Sequence, residues 1–271
     1  MNVTAIIHTR NADLYLQEVI DRLHDFDEIL VVDMDSTDRT LEIAERNGCR
    51  IIHAEPVGYV EPARDPAMRE AANDWVLFVD ADELVTPELV NYIRAFLDNP
   101  GKVKAVEIPR KNLWLNGWSR SNYPDYQVRL LDRRSCTWPT EIHSNPKVKG
   151  KSIKIPKKRT DLALIHKSPA VSGVLERMNR YTDFEVTRRR NGKRPGMLAM
   201  RVKPWFRFFK MYWLKGGWRS GASGYLEAKN QQFYKLYTLA KLYEDSLNEG
   251  KEGKRERGKE GKRERGKEGK R

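Results

Sequence analysis

Two cysteines in 271 residues, Cys49 and Cys136, are all the thiol chemistry this sequence has. They stand far apart and form no CxxC, which excludes a disulfide framework and a zinc site built on cysteine pairs. Cys49, in CRIIHA, reads as a small core residue. No apolar run approaches the ~18 residues needed to cross a bilayer. The start, MNVTAIIHTR, has neither a basic n-region nor a small-residue cleavage site, so no secretory leader is read and the chain is expected to stay in the cytosol. Glycine cradles for phosphate are absent in both common forms, GxxxxGK[ST] and GxGxxG. A phosphorylated ligand must then be held by other means, and a metal-bridged diphosphate is the natural substitute.

Charge is abundant, at 33% of residues and a net +13, but it is unevenly spread. From Lys251 the chain repeats KEGKRERG, with 11 Lys or Arg against 5 Glu and no apolar residue, so +6 lies in the last 21 residues and +7 in the rest. A tail of this composition cannot bury anything. It is expected to be disordered or at best a solvated, fraying helix, an incidental repeat expansion before it is an electrostatic device for lipid or RNA. About 250 residues remain for folding, enough for one large α/β domain with an appended helical part.

Those residues alternate in character. VTAIIHT (3–9), EILVVD (28–33), CRIIHA (49–54), WVLFVD (75–80) and VKAVEIP (103–109) predict strands. Between them, Leu16, Val19, Ile20 and Leu23 recur at helical spacing, STDRTLEIAERNG ends on a helix-stopping Asn47-Gly48, residues 64–73 predict a third helix, and Thr86-Pro87-Glu88 opens a fourth. Alternating β and α elements imply a mainly parallel sheet with helices on both faces. From residue 110 the chain turns rich in Trp, Tyr, Arg and turn formers, an irregular or antiparallel stretch beside the same sheet. Residues 173–190 and 204–243 predict helices, the latter broken at Gly216-Gly217 and around Gly221 to Gly224.

Within WVLFVDADELVTPELV, five apolar residues run into Asp80, Asp82 and Glu83. Carboxylates are resisted in a buried strand unless paired or metal-bound, so these acids sit where the strand emerges. Ligands of parallel sheets bind beyond the carboxyl ends of the strands, and there Asp33, at the end of EILVVD, would join Asp80 and Asp82. Singly, Asp33 or Asp80 reads as a turn acid. Three carboxylates at one rim repel each other and want a cation.

The combination of ILVVDMDSTDRTLEIAERNG, DWVLFVDADELVTPEL, YPDYQVRLL and LIHKS…LERMNRYT, in this order, resembles family 2 glycosyltransferases, in particular bacterial lipopolysaccharide core enzymes of the β-1,4-glucosyl type. The resemblance spans about residues 1–243. It implies a GT-A fold, a divalent cation (Mg²⁺ or Mn²⁺), a nucleoside diphosphate sugar donor with UDP-sugars foremost, and inversion at the anomeric carbon. By resemblance Asp82 is the first metal ligand, with His166 able to complete the metal or diphosphate site. Asp80 would hold the ribose or a metal-bound water, Asp33 and Thr9 would lie at the base, and Arg64 would face the donor. The family commonly has Arg-Asn where this chain has Arg64-Asp65. Inversion needs a base on the acceptor side. Asp125 is the first choice and Glu141 the second, because the family usually places an acid after the histidine, where here Ser144 follows His143. His143 itself, like His8, His24 and His53, is assigned no role. Trp114, Trp118 and Trp138 are read as packing before sugar platforms.

The expected organisation is thus a nucleotide-sugar part (1–110), an acceptor-side part of the same domain (111–170), a helical extension (171–248) and a low-complexity tail (249–271). Within the extension, KPWFRFFKMYWLKGGWR mixes aromatic and basic residues as interfacial segments do, which predicts peripheral attachment to the cytoplasmic leaflet of the inner membrane, where a glycolipid acceptor would be presented. Two other readings are open. A sugar nucleotidyltransferase could use the same acids but would normally show a glycine-rich loop. A basic RNA- or membrane-binding protein without catalysis would explain the charge, yet basic residues are interleaved with acids and no RNA-binding signature occurs, so no nucleic acid partner is expected.

Overall fold

Four apolar, β-branched runs form the parallel half of a seven-stranded sheet: β1 (Val3–Thr9), β2 (Glu28–Asp33), β3 (Arg50–His53) and β4 (Trp75–Asp80). They are linked by α1 (Asp13–Asp21), α2 (Thr40–Arg46) and α3 (Glu61–Glu70). The chain continues through β5 (Glu83–Leu84), α4 (Pro87–Asp98), β6 (Val103–Ile108), β7 (Arg110–Trp114), β8 (Gly117–Trp118), β9 (Gln127–Asp132), β10 (Cys136–Thr137), β11 (Lys147–Val148), β12 (Lys151–Lys154) and β13 (Leu164–His166). The large sheet has the order β12-β6-β9-β4-β1-β2-β3, a small one β5-β13-β7-β8, and β10 and β11 form a ribbon. The structure is a computed structural model and describes residues 1–115, 117–141, 144–167, 171–189 and 194–268, with only the backbone for residue 172 and from 248 onward.

Alternation along the strands divides the core between two faces. Val3, Ala5 and Ile7 of β1 with Trp75, Leu77 and Val79 of β4 pack with Leu16, Val19, Leu89 and Ile93 of α1 and α4. Ile6, Val76 and Phe78 pack instead with Ala63, Ala67 and Met68 of α3 and with Trp138. Helix α4 starts as its sequence predicts: the Leu89 N–H donates to Thr86 Oγ1 at 3.2 Å, and Pro87 fills the first turn. Helix α3 begins at Glu61, ahead of the predicted residue 64, because Pro62 is accommodated in its first turn, where its missing N–H would be unpaired anyway.

The stretch after residue 110 is more ordered than its composition suggests. QVRLLD of β9 inserts between β4 and β6, antiparallel to both, with Leu77 opposite Leu130 and Val106 opposite Leu130 on the other side. The one reversed strand makes the sheet mixed, mostly parallel, and carries acceptor-side sequence into its centre. In the small sheet β13 runs between β5 and β7, so that Glu83, His166 and Asn112 lie in one row.

The chain divides into two compact units, Met1–Ser168 and Pro169–Arg271. The second is helical: α5 (Val171–Arg188), α6 (Met197–Phe209), a π-helical turn (Lys210–Leu214) and α7 (Gly221–Glu268). Helix α6 starts seven residues before the predicted start at Pro204 and runs through that proline. The breaks fall where glycine permits them, at Gly216 (φ 73°) and Gly221 (φ 60°). Helix α7 packs on α5 and α6; Lys241 Nζ donates to Asp183 at 2.6 Å, and Tyr234 donates to Glu185 at 2.8 Å. The α7 backbone continues through the charged repeat to Glu268, the helical one of the two forms expected for the tail. Among the described residues no helix is long and apolar enough to cross a membrane.

Candidate active site

Register puts the predicted acids at one rim. Thr9 pairs with Asp33 and His8 with Asp80 at the carboxyl ends of three adjacent parallel strands. Pleating then turns them to different faces: Thr9 follows Ile7 toward the α1 side, whereas His8 and Asp80 follow Ile6 and Phe78 toward α3. On the first side, Thr9 Oγ1 donates to Asp33 Oδ1 at 2.9 Å, and Ser36 donates to the same carboxylate from Oγ (2.6 Å) and N (3.0 Å). Asp33 is fully buried and anchors the loop after β2. That loop turns through Asp35 at φ 56° and is tied to Asn11, whose Oδ1 accepts from Thr37 N at 2.8 Å.

On the α3 side lies a cage of charges. Arg129 donates to Asp80 through both Nη atoms, Nη1 reaching Oδ1 at 3.2 Å, and to Glu83 Oε1 at 2.7 Å. Arg110 donates from Nη1 to the same Glu83 oxygen at 2.8 Å and from Nε and Nη2 to Asp125 Oδ2 at 2.9 and 2.8 Å. Arg64 approaches Asp80 Oδ1 at 3.5 Å and lies over the rings of Phe78 and Trp138, 5.3 and 4.4 Å from their centroids. Glu83 has no exposed surface, and its Oε2 accepts from Asp80 N at 3.2 Å. Three guanidinium groups therefore balance three carboxylates, and a buried acid such as Glu83 is tolerable only because it is paired in this way.

The charges set the protonation of the groups they face. Burial pulls the Asp80 carboxyl upward, but Arg129 and Arg64 outweigh it and hold it well below the usual carboxylate range. Asp125 follows the same pattern: burial opposes, and Arg110 with the N–H groups of Asn112 and Gln127 prevails, so its value is lowered. Burial, then the charge of Arg64, drives the His8 imidazole down to about 3. His8, set aside in the sequence, is therefore a neutral ring, stacked on Phe78 at 5.7 Å.

Asp82 differs from its neighbours. Among the described residues it pairs with no lysine or arginine; its Oδ2 faces His166 Nε2 at 3.3 Å, and it remains 31% exposed. The backbone bond from Lys167 N to Asp82 O, 2.8 Å, fixes the two segments together. No three His, Cys, Asp or Glu residues of the described chain converge as a metal cluster, so the donor set is this pair alone. The Asp82 carboxylate suits a hard divalent cation, and the imidazole beside it suits Mn²⁺ better than Mg²⁺; two protein ligands would be enough for an ion that keeps waters.

Of the predicted site residues, Arg64, Asp80, Asp125, Asp82 and His166 are thus joined by one contact network, while Thr9 and Asp33 form a separate pair on the same rim. Glu141 is exposed and shares none of these contacts. His143 lies outside the described residues. Trp138 packs, as read, with its ring edge-on to Phe78 at 5.0 Å. Sequence reasoning missed Arg110, Asn112 and Arg129. The signal for Arg129 was present: a single arginine inside the apolar run QVRLLD, 2% exposed in the structure, demands a buried acid.

A family model described as "Glycosyl transferase family 2" matches residues 4–149, which hold both halves of the rim and the arginine cage. The chain belongs to that family. It is a glycosyltransferase. A glycosyltransferase of Rickettsia bellii is 26% identical over 258 residues, covering 90% of this chain and 87% of the relative. The lipopolysaccharide core biosynthesis glycosyltransferase LpsC of Rhizobium meliloti is 24% identical over 253 residues, covering 89% and 92%. Among solved structures, the mannosyltransferase PcManGT of Pyrobaculum calidifontis, described in complex with GDP-Man and Mn²⁺, superposes with a TM-score of 0.53 at 16% identity, covering 89% of this glycosyltransferase and 86% of that chain. This likeness shows the GT-A-like fold.

Proposed function

We propose that this family 2 glycosyltransferase is inverting and cation-assisted, and moves a sugar from a nucleoside diphosphate onto a lipopolysaccharide core or related glycolipid. The observation that carries the reading is Asp82 facing His166 at the rim while every other acid of the DADE run is held by arginine. Asp82 and His166 would hold a divalent cation, which would supply positive charge for a departing diphosphate, more useful in the transition state than in the ground state. Asp80, fixed by Arg129, is left 33% exposed to orient the ribose side of the donor. Thr9 and Asp33, 1% and 0% exposed and bonded to each other, shape the nucleoside side of the rim together by holding the loop after β2. Asp125 is the base: its Oδ2 is taken by Arg110 and Asn112, and its Oδ1, bonded to Gln127 at 3.2 Å, receives the acceptor proton. Glu141 is the alternative base. The name of the LpsC relative supports the acceptor class.

The helical unit supports attachment to an anionic bilayer. From Met197 to Leu226 there are six Lys or Arg and no Asp or Glu. Leu198, Trp205, Phe206, Trp213 and Leu214 are all more than half exposed on this segment. Exposed rings and aliphatic groups on a stretch rich in basic residues suit the headgroup boundary of the cytoplasmic leaflet.

Thermal shift with UDP-, GDP- and ADP-sugars in the presence of Mn²⁺ tests the reading. One donor class is expected to raise the melting temperature with the logarithm of its concentration. Asp82→Asn, folded as before, is expected to lose the Mn²⁺-dependent part. No shift with any donor, or an equal shift in the variant, overturns the proposal.

A further inference from the structure

Asn112 stands between the two halves of the site. Its Nδ2 is 2.9 Å from Asp125 Oδ2, and its Oδ1 is 2.7 Å from His166 Nδ1. The orientation of this amide is chemically forced. Asp125 Oδ2 already accepts from Arg110 Nε and Nη2 and can only accept, so the amide group beside it must be the NH₂. The oxygen of Asn112 then points at His166, and a carbonyl oxygen cannot donate. His166 must therefore carry its proton on Nδ1. In the neutral ring this leaves the Nε2 lone pair toward Asp82 Oδ2, two acceptors facing one another across 3.3 Å, an arrangement that either a second ring proton or a bound cation relieves. Strand register enforces the contact, because His166 and Asn112 are direct partners across β13 and β7.

We propose that Asn112 is a positioning residue: it selects the tautomer of His166 that offers Nε2 to the cation, and it ties that histidine to the carboxylate on the acceptor side. The inference rests on the cation site proposed above, but the tautomer it demands belongs to the metal-free protein too. Partners that fix a ligating histidine typically matter by about 10–100-fold in metal affinity. Asn112→Leu removes both hydrogen bonds at similar size. Asn112→Asp keeps an acceptor for Nδ1–H, loses the donor to Asp125 and sets a second carboxylate against it.

The experiment reads the tautomer of His166 by ¹⁵N NMR in metal-free protein, at a pH where the ring's own ¹⁵N shifts show it neutral, and titrates Mn²⁺ alone by EPR. In the wild type and in Asn112→Asp the Nδ1–H tautomer is expected, with Mn²⁺ affinity in Asn112→Asp no weaker than in the wild type because the added carboxylate attracts the cation, whereas Asn112→Leu mixes the tautomers and weakens Mn²⁺ at least tenfold. Should Asn112→Leu fail to fold, Asn112→Ala takes its place with the same expectation. An Nε2–H ring in the wild type overturns the proposal, as does unchanged tautomer and affinity in the leucine or alanine variant, or an equal loss in Asn112→Asp. A wild type with the Nδ1–H ring that binds no Mn²⁺ removes the cation site, and with it the role of Asn112 toward a cation; the tautomer arm separates this failure from the others.

Discussion

Arg129 is the residue on which the rim depends most. It is 2% exposed and carries both Asp80 and Glu83, the latter without exposed surface. Replacing it by methionine keeps the stem and strands two acids, of which Arg110 satisfies only one fully. Breaking a buried ion pair from one side costs about 3–5 kcal/mol, and that loss is expected for Arg129→Met in chemical denaturation; a loss under about 1 kcal/mol, the scale of exposed pairs, would show that the cage is solvated. Arg129→Lys is expected to recover little, because one ammonium cannot replace a fork that bridges two carboxylates. Asp125 makes a different prediction. Its value in the fold lies below the ordinary ~3.9, so its contribution to stability is present above that pH and is lost as pH falls through the lowered value. As a base it stays ionised through the neutral range, and the acid limb of kcat/KM falls below about pH 4. In Arg110→Gln the opposing charge is gone, burial weighs more, and the limb is expected to move to higher pH than in the wild type. A limb that does not move in a folded variant gives the proton to another group, with Glu141 next in line.

At the scale of elements, the parallel half of the sheet was legible because β1, β2 and β4 are nearly uniform apolar runs ended by polar rim residues, and α4 announces itself with Thr86 and Pro87. The place of β9 was not. QVRLLD reads as a strand of any kind, and nothing local says that it enters between β4 and β6, since strand pairing is a long-range choice. For the same reason Asp80, Asp82 and Asp33 were legible as rim acids, but the pairing of Glu83 with Arg110 and of Asp80 with Arg129, 27 and 49 residues along the chain, was not. Pro204 misled the reading of α6, because a helix tolerates one proline at the loss of one bond when its other turns are held, here by Arg207 on Gln231 at 2.7 Å. Gly217 and Gly224, read only as breaks, have a packing reason. A Cβ on Gly224 would lie 2.0 Å from the Gly217 carbonyl oxygen, and one on Gly217 would lie 2.8 Å from that of Met211. Neither neighbour is a side chain that can swing away. Gly224→Ala is expected to destabilise the helical unit by about 1–3 kcal/mol and to open it to limited proteolysis. Gly196→Ala, with nothing within 4 Å of the added carbon, serves as the control and is expected to change little.

At the scale of the whole molecule, the net charge of +13 is shared between a repeat that has no apolar residue and a body that has an acid-free, aromatic-rich segment. The two could recruit the enzyme to an anionic surface by different physics, and their salt dependence tells them apart. A basic tail acts through space and is screened beyond about 8 Å at physiological ionic strength. Rings and aliphatic groups buried at headgroup depth hold on by apolar area, which salt does not weaken. Deleting residues 251–271 removes +6 and leaves +7. The truncated enzyme is expected to keep its melting temperature and its Mn²⁺-dependent donor shift, and to sediment with vesicles rich in phosphatidylglycerol at low and at moderate salt, with only the low-salt excess reduced. Trp205→Ala combined with Trp213→Ala in the full chain is expected to lose the salt-resistant part, since both rings are more than half exposed, while an unchanged melting temperature checks that losing their contacts with Phe208 and Tyr212 has not unfolded the unit. Binding that vanishes with the repeat and survives the loss of both tryptophans would move the attachment from the helical unit to the tail, and the exposed face of α6 would then have to be assigned to something other than lipid.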